Sequence, residues 1–216
     1  MDLSLRDAAK AMGVSESTLS RWVNEEGLTA YLINGRYRFN RVDLLEWAGH
    51  RKLPVGALFG SAEGAPAPAL RELLAGNIHY RVPGTDLKSA MAAVAELLPL
   101  PSAGDRRLAA QVLSEREALG STGVGDGIAI PHARSPLVFS VERPAMALCF
   151  LEQPVPFGAP DGAPVHTVFA LVTPTVRVHL ALLAKVSSAL HDPAFRDLLR
   201  ERAAADRLLA RLGELA

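Results

Sequence analysis

The chain has 216 residues, with 23 Lys+Arg against 23 Asp+Glu, 49% hydrophobic content and 21% charged content. This much apolar content excludes disorder over most of the chain, and the zero net charge excludes a uniformly basic nucleic-acid protein while leaving room for a local basic patch. At roughly 150 residues per domain, the length holds one large domain or two modest ones. The single cysteine, Cys149, lies in the apolar run 145–151. It excludes an intrachain disulfide framework and fits a small buried strand residue in a reducing cytoplasm better than a nucleophile. The apolar stretches fall short of the ~20 residues of a spanning helix, and the N-terminal residues lack the apolar segment of a secretory signal, so no membrane insertion is expected.

The first predicted element is a helix over 5–12, capped by Ser4, with Leu5, Ala8, Ala9 and Met12 at i, i+3, i+4 and i+7. Gly13 breaks it. Ser15 caps a second helix over 16–25 that buries Leu19, Trp22 and Val23. Residues 30–33 and 36–39 are strand formers around Asn34-Gly35, the preferred pair for a tight hairpin turn. Asn40 then caps a third helix over 41–48, with Leu44, Leu45 and Trp47 inward. Helix, turn, helix, hairpin and helix in this order is a winged helix-turn-helix.

The run from Ala8 to Trp22, Ala-Ala-Lys-Ala-Met-Gly-Val-Ser-Glu-Ser-Thr-Leu-Ser-Arg-Trp, resembles the excisionase/MerR-like DNA-binding family, over about residues 3–49. Such domains put the second helix in the major groove and the wing on the backbone or minor groove. The resemblance implies base or phosphate contacts from Ser17, Thr18 and Arg21, with Arg21 suited to bidentate pairing with guanine, and phosphate contacts from Arg36 and Arg38. A small interaction module, with Arg36 and Arg38 on a solvated strand face, uses the same residues. Helix-turn-helix and basic wing together favour DNA.

Residues 53–69 are rich in Pro, Gly and Ala and carry one charge, and read as a linker. Residues 1–52 hold 8 Lys+Arg and 7 Asp+Glu, leaving 15 and 16 beyond. The expected division is a DNA-binding domain over 1–52, the linker, and a larger domain over 70–216.

In that larger domain helices are predicted over 70–75, 86–98 (capped by Thr85), 105–116, 176–190 (capped by Thr175), 194–202 (capped by Asp192 with Pro193 at its start) and 204–212. Strands are predicted over 78–82, 127–131, 145–151 and 165–172, with the glycine-rich stretch before 127 read as loop. The expected class is α/β (α+β), a mixed sheet flanked by helices. Four of the eight residues 120–127 are glycine, which permits close backbone approach, but no Lys-Ser/Thr follows as a phosphate loop requires. His132 follows an apolar strand and Pro131; alone, a histidine at a strand end is most often structural.

Several ordered motifs give His132 more meaning. Arg116-Glu117-Ala118-Leu119-Gly120-Ser121-Thr122-Gly123, Ile128-Ala129-Ile130-Pro131-His132, the 154–162 stretch and His179-Leu180-Ala181-Leu182-Leu183-Ala184 together resemble the phosphotransferase-system enzyme IIA of fructose/mannitol and nitrogen-regulatory type, over about residues 70–216. The resemblance implies that His132 accepts phosphate from the carrier protein HPr, that Arg116, sixteen residues upstream, holds phosphoryl oxygens, and that His179 is the second family histidine. Ala133 stands where the family most often has Gly. The chemistry is consistent: near pH 7 imidazole is largely neutral and nucleophilic, and phosphoryl transfer rests on positioning and charge stabilisation. No cofactor is implied and no metal: the six histidines at 50, 79, 132, 166, 179 and 191 show no ligand spacing beside Cys or carboxylate. His79 and His166 read as structural or surface residues.

The leading expectation is thus a cytoplasmic regulator that binds DNA and senses phosphotransferase-system flux through His132. Two alternatives stay open. One is a soluble sugar-transport phosphocarrier passing phosphate to an enzyme IIB or to a regulated enzyme or transporter. The other is a DNA-binding protein whose IIA-like domain is catalytically dead. A homodimer is compatible with each.

Overall fold

A computed structural model describes residues 3–33, 35–39, 41–51, 53, 67–133 and 141–215. Asn34, Asn40 and residues 54–66 of the expected linker lie outside the described residues. The chain begins with a two-residue strand, β1 (Leu3–Ser4), and the Ser4 hydroxyl accepts the Asp7 N–H at 3.2 Å to start α1 (Leu5–Met12). Ser15 caps α2 (Glu16–Glu25) in the same way, through Thr18 N–H at 3.1 Å. β2 (Tyr31–Ile33) and β3 (Arg36–Phe39) form the antiparallel wing, and α3 (Arg41–His50) follows. β1 pairs with β3, Leu3 opposite Phe39, so the wing is a three-stranded sheet ordered β1-β3-β2. Ala8, Ala9, Leu19, Phe39 and Leu44 are buried at its centre. The Trp22 and Trp47 rings meet at 4.7 Å, Trp47 Nε1 donates to the Glu26 carbonyl at 3.3 Å, and Arg51 pairs with Glu26 while lying 4.4 Å over the Trp47 ring. These contacts clamp α2 to α3.

The larger unit contains α4 (Leu70–Leu74), β4 (Ile78–Val82), α5 (Leu87–Glu96), α6 (Ala103–Ala118), β5 (Gly123–Gly125), β6 (Ile128–Ala129), β7 (Ala145–Val155), β8 (Val165–Val172), α7 (Val176–Leu190), α8 (Pro193–Arg200) and α9 (Ala205–Glu214). Its five strands are ordered β4-β7-β8-β6-β5. β4 is parallel to β7 and β6 to β8, while β7 with β8 and β5 with β6 run antiparallel. The strand period of two sorts β7 and β8 between two cores. Ala145, Ala147, Cys149, Leu151, Val168 and Val172 face α5 and α6. Met146, Leu148, Phe150, Phe169 and Leu171 face α4 and α7–α9. The α/β (α+β) expectation of a small winged unit followed by a mixed sheet under helices is the observed architecture. Among the described residues no helix is long and apolar enough to cross a membrane. Cys149 sits mid-strand in β7, fully buried, and burial pushes its thiol up to about 12.

Local differences have physical reasons. The cap of α5 is Asp86, not Thr85: its carboxylate accepts Ser89 N–H at 2.8 Å, and Ser89 Oγ accepts Asp86 N–H at 3.1 Å, a closed capping box that the three-residue spacing allows. α6 starts earlier than residue 105 because Ser102 and Asp105 form a second such box. The stretch read as a loop before residue 127 contains β5, which hairpins onto β6.

Candidate functional site

His132 lies just past the C-terminal end of β6, bridged to Leu171 of β8 and held there by Leu171 N–H donating to the Pro131 carbonyl at 3.0 Å. It is 3% exposed. Its Nδ1 is 2.6 Å from the Ile130 carbonyl oxygen. A carbonyl can only accept, so Nδ1 carries the proton, and in the neutral ring the lone pair belongs to Nε2.

β8 leads through Thr173 to Thr175, whose Oγ1 accepts Val178 N–H at 3.2 Å and caps α7. That cap places His179 in the first helical turn, at the positive helix end, which favours an anion. Its ring centroid is 5.1 Å from that of His132, with planes at 51°, and Nδ1 is 3.1 Å from Thr173 Oγ1. Two elements far apart in sequence thus bring the two expected histidines together.

Arg116, in the last turn of α6, donates Nη1–H to the Gly120 carbonyl at 2.8 Å. This bond braces the loop that leads to His132. Sequence reasoning assigned no role to its neighbour Glu117. This buried carboxylate accepts Thr122 N–H at 2.8 Å, Thr122 Oγ1–H, and Ser121 Oγ–H at 3.0 Å. Thr122 in turn accepts Ile130 N–H on its carbonyl at 3.1 Å, so Glu117 sets the strand that ends in His132. A signal was present: a carboxylate at a helix C-terminus opposes the dipole and needs donors, and Ser121-Thr122 follow at once.

Two glycines of the loop are required by close approach. A Cβ on Gly127, which has φ +70°, would come within 2.5 Å of the His166 ring, and one on Gly123 within 2.6 Å of the Ala159 Cβ. His166 is therefore a packing residue, its pKa lowered chiefly by burial and then by the Arg202 charge. Asp161, from the 154–162 stretch, accepts Asp126 N–H at 2.9 Å and ties that stretch to the β5–β6 turn.

A cavity of about 230 Å³ opens beside His132, walled by Thr122, Ile130, Leu183, Ser187 and, from the N-terminal unit, Gly49. Arg196 and Asp126, paired at 3.2 Å, also line it, as does His191. Among the described residues no cluster of three His, Cys, Asp or Glu could hold a metal ion.

On the winged unit Ser17 is exposed and Thr18 half-buried, and both hydroxyls are 2.8 Å from Ser15 Oγ at the start of α2. Arg21 projects one turn on, 58% exposed and 3.7 Å from Glu26. Arg36 and Arg38 lie on β3, exposed and half-buried respectively, alternating with Tyr37 and the buried Phe39. The five side chains form two groups, one at the start of α2 and one on the wing.

Residues 75–214 match the family model "Phosphoenolpyruvate-dependent sugar phosphotransferase system, EIIA 2", and residues 3–52 match a helix-turn-helix domain model. A nitrogen regulatory protein of Pseudomonas aeruginosa is 38% identical over 140 residues, which cover 63% of this chain and 88% of that protein. The crystal structure of the nitrogen regulatory protein IIA-Ntr from Neisseria meningitidis superposes with a TM-score of 0.58 at 31% identity, over 66% of this chain and 98% of that one. The IIA mannitol structure from Escherichia coli shares the fold, with a TM-score of 0.54 at 21% identity over 64% of this chain and 96% of that one.

Proposed function

The chain belongs to the EIIA 2 family of the phosphoenolpyruvate-dependent sugar phosphotransferase system, and from that premise we propose that it is a nitrogen-regulatory-type IIA protein that accepts a phosphoryl group on Nε2 of His132 and binds DNA through residues 1–52. The Nε2 lone pair forms the new N–P bond as the P–N bond of an HPr-type donor breaks, and the donor imidazole leaves with that electron pair. The observation that carries this reading is the hydrogen bond from His132 Nδ1 to the Ile130 carbonyl, which aims one defined nitrogen at the site beside His179. His179, at the positive end of α7, is suited to the phosphoryl oxygens, and Arg116 acts on the loop that positions His132. The helix-turn-helix match and the arginines at 21, 36 and 38 support DNA binding and favour a regulator over a transport phosphocarrier. Residues 53–69 join the two parts. Nothing in this chemistry calls for a cofactor, and a cytoplasmic location suits it.

The test is incubation with phosphoenolpyruvate, enzyme I and HPr. Acid-labile phosphate is expected on the wild type and lost in His132→Ala, while His179→Ala should slow labelling about 10²-fold or more if it stabilises the transferring group. Equal labelling of His132→Ala overturns the assignment.

A further inference from the structure

We infer that the N-terminal domain is a cap on the phosphoacceptor face: a phosphoryl donor and helix α3 compete for one surface, and phosphate on His132 favours the undocked form. This rests on the phosphoacceptor reading above.

Helix α7 serves two neighbours at once. His179 and Leu183 belong to the site and the core beneath it, whereas Leu180 and Ala184, one helical turn apart, pack into the hydrophobic cluster of the N-terminal unit with Leu19, Phe39, Leu44 and Ala48. Leu180 is 6% exposed and belongs to the buried cluster of that unit. α3 contacts both α7 and β5, and Gly49 in its last turn closes one side of the His132 cavity.

Transfer between two protein imidazoles requires the donor's surface to reach Nε2 in line. A cavity of about 230 Å³ accepts a phosphoryl group but not the loop of another protein. The docked form is therefore closed to its donor, and α3 must lift away first. Interfaces between domains of one chain commonly open and close, so lifting α3 from α7 and β5 is an ordinary motion.

Charge gives the second half of the device. Phosphate adds about −1.5 to −2 charge at pH 7. Gly49 brings the C-terminal, partially negative end of α3 to the cavity, and Asp126 lines it too. The cation Arg196 is matched by Asp126 at 3.2 Å, and His191 holds the Ser187 carbonyl through Nδ1 at 2.7 Å. A phosphate enclosed there keeps the positive end of α7 but also meets the negative end of α3 in a site shielded from water; undocking removes the second and leaves the first.

The test uses the full chain as wild type, Ala184→Arg and Gly49→Asp. The first substitution drives a long cation between α7 and the N-terminal unit. The second places a carboxylate in the cavity from the other side, at a position whose Cβ would meet nothing within 4 Å, so it folds even if the first does not. Initial rates of labelling by radiolabelled phospho-HPr are measured with tryptophan emission, since both tryptophans, Trp22 and Trp47, lie in the N-terminal unit. If the open form is about a tenth of the wild type, full opening raises the rate about tenfold. The variants should also show, before any phosphate is added, the emission that wild type acquires on labelling. Equal rates and unchanged emission overturn the cap and leave the phosphoacceptor reading standing. No label in any of the three proteins overturns the phosphoacceptor reading, and the cap falls with it.

Discussion

The Ile130 carbonyl decides which nitrogen of His132 can react, and Glu117 decides where that carbonyl sits. Glu117 gathers three donors from Ser121 and Thr122, and Thr122 holds Ile130. Replacing one acceptor oxygen by an amide leaves a buried donor facing a donor. Glu117→Gln should therefore cost about 1–3 kcal/mol, and each kcal/mol lowers Tm by about 2–4 °C in a chain of this size. The same variant should label more slowly at His132. A thermal melt within about 1 °C of wild type, below the roughly 2 °C that the smallest of these costs predicts, would remove Glu117 from this role. His132 was legible because a strand, a rigid proline and a histidine adjoin in sequence. Glu117 was not, because beside Arg116 it reads as half of a surface charge pair until the fold buries it.

Four helix starts, at Ser4, Ser15, Thr175 and Asp192, lie where the sequence puts them, while those of α5 and α6 do not, and the acid limb of stability depends on the Asp192 cap. Asp192 caps α8 through Phe195 N–H at 2.7 Å and accepts Arg211 of α9 at 2.9 Å on Oδ1 and 2.6 Å on Oδ2. The Arg211 hydrogen bonds, then the cap itself, hold its carboxyl below the ordinary value of 3.8. A carboxylate depressed in the folded state adds stability that is complete above that value and lost as pH falls through the folded one. Asp192→Asn should melt earlier than wild type at pH 7, and the gap should narrow below about pH 3.8 as the wild-type carboxyl protonates. A gap of constant size from pH 7 to pH 3 would exclude the ionic part of this link. The Asp192-Pro193 start and the Thr175 cap were readable because each is a local chemical instruction. β1 is two residues long, and β5 is Gly-Val-Gly, so neither carries a period of two. The one signal for β5 was Asp126-Gly127, a favoured hairpin pair, with φ of +54° and +70° at the two residues.

Across the whole molecule, zero net charge limits what DNA binding can rest on. With no global basic field, the proposed affinity for mixed-sequence duplex would rest on Arg21, Arg36 and Arg38 and on the few phosphates they neutralise. The log–log salt slope should be shallow, about −0.9 per phosphate, and the triple substitution to Ala should flatten it by up to about 3 units. Titration of a fluorescent duplex at several salt concentrations reads this directly. A slope unchanged by the substitutions would place the DNA contacts elsewhere. The composition of residues 53–69 suggests a division into two parts. The packing of α7 against the N-terminal unit was not legible, since Leu180 and Ala184 simply widen the apolar stripe of α7 and nothing in a helical period says that two cores share it.

Cys149 carries a practical consequence. The only thiol in the chain is at the centre of β7, closed to solvent and held protonated at neutral pH. The folded chain therefore offers no reactive thiol to thiol-directed reagents. A cysteine introduced on the wing, on α7 or beside the cavity would be the sole reactive sulfur, so a spectroscopic label could be placed at one chosen position without removing any native residue.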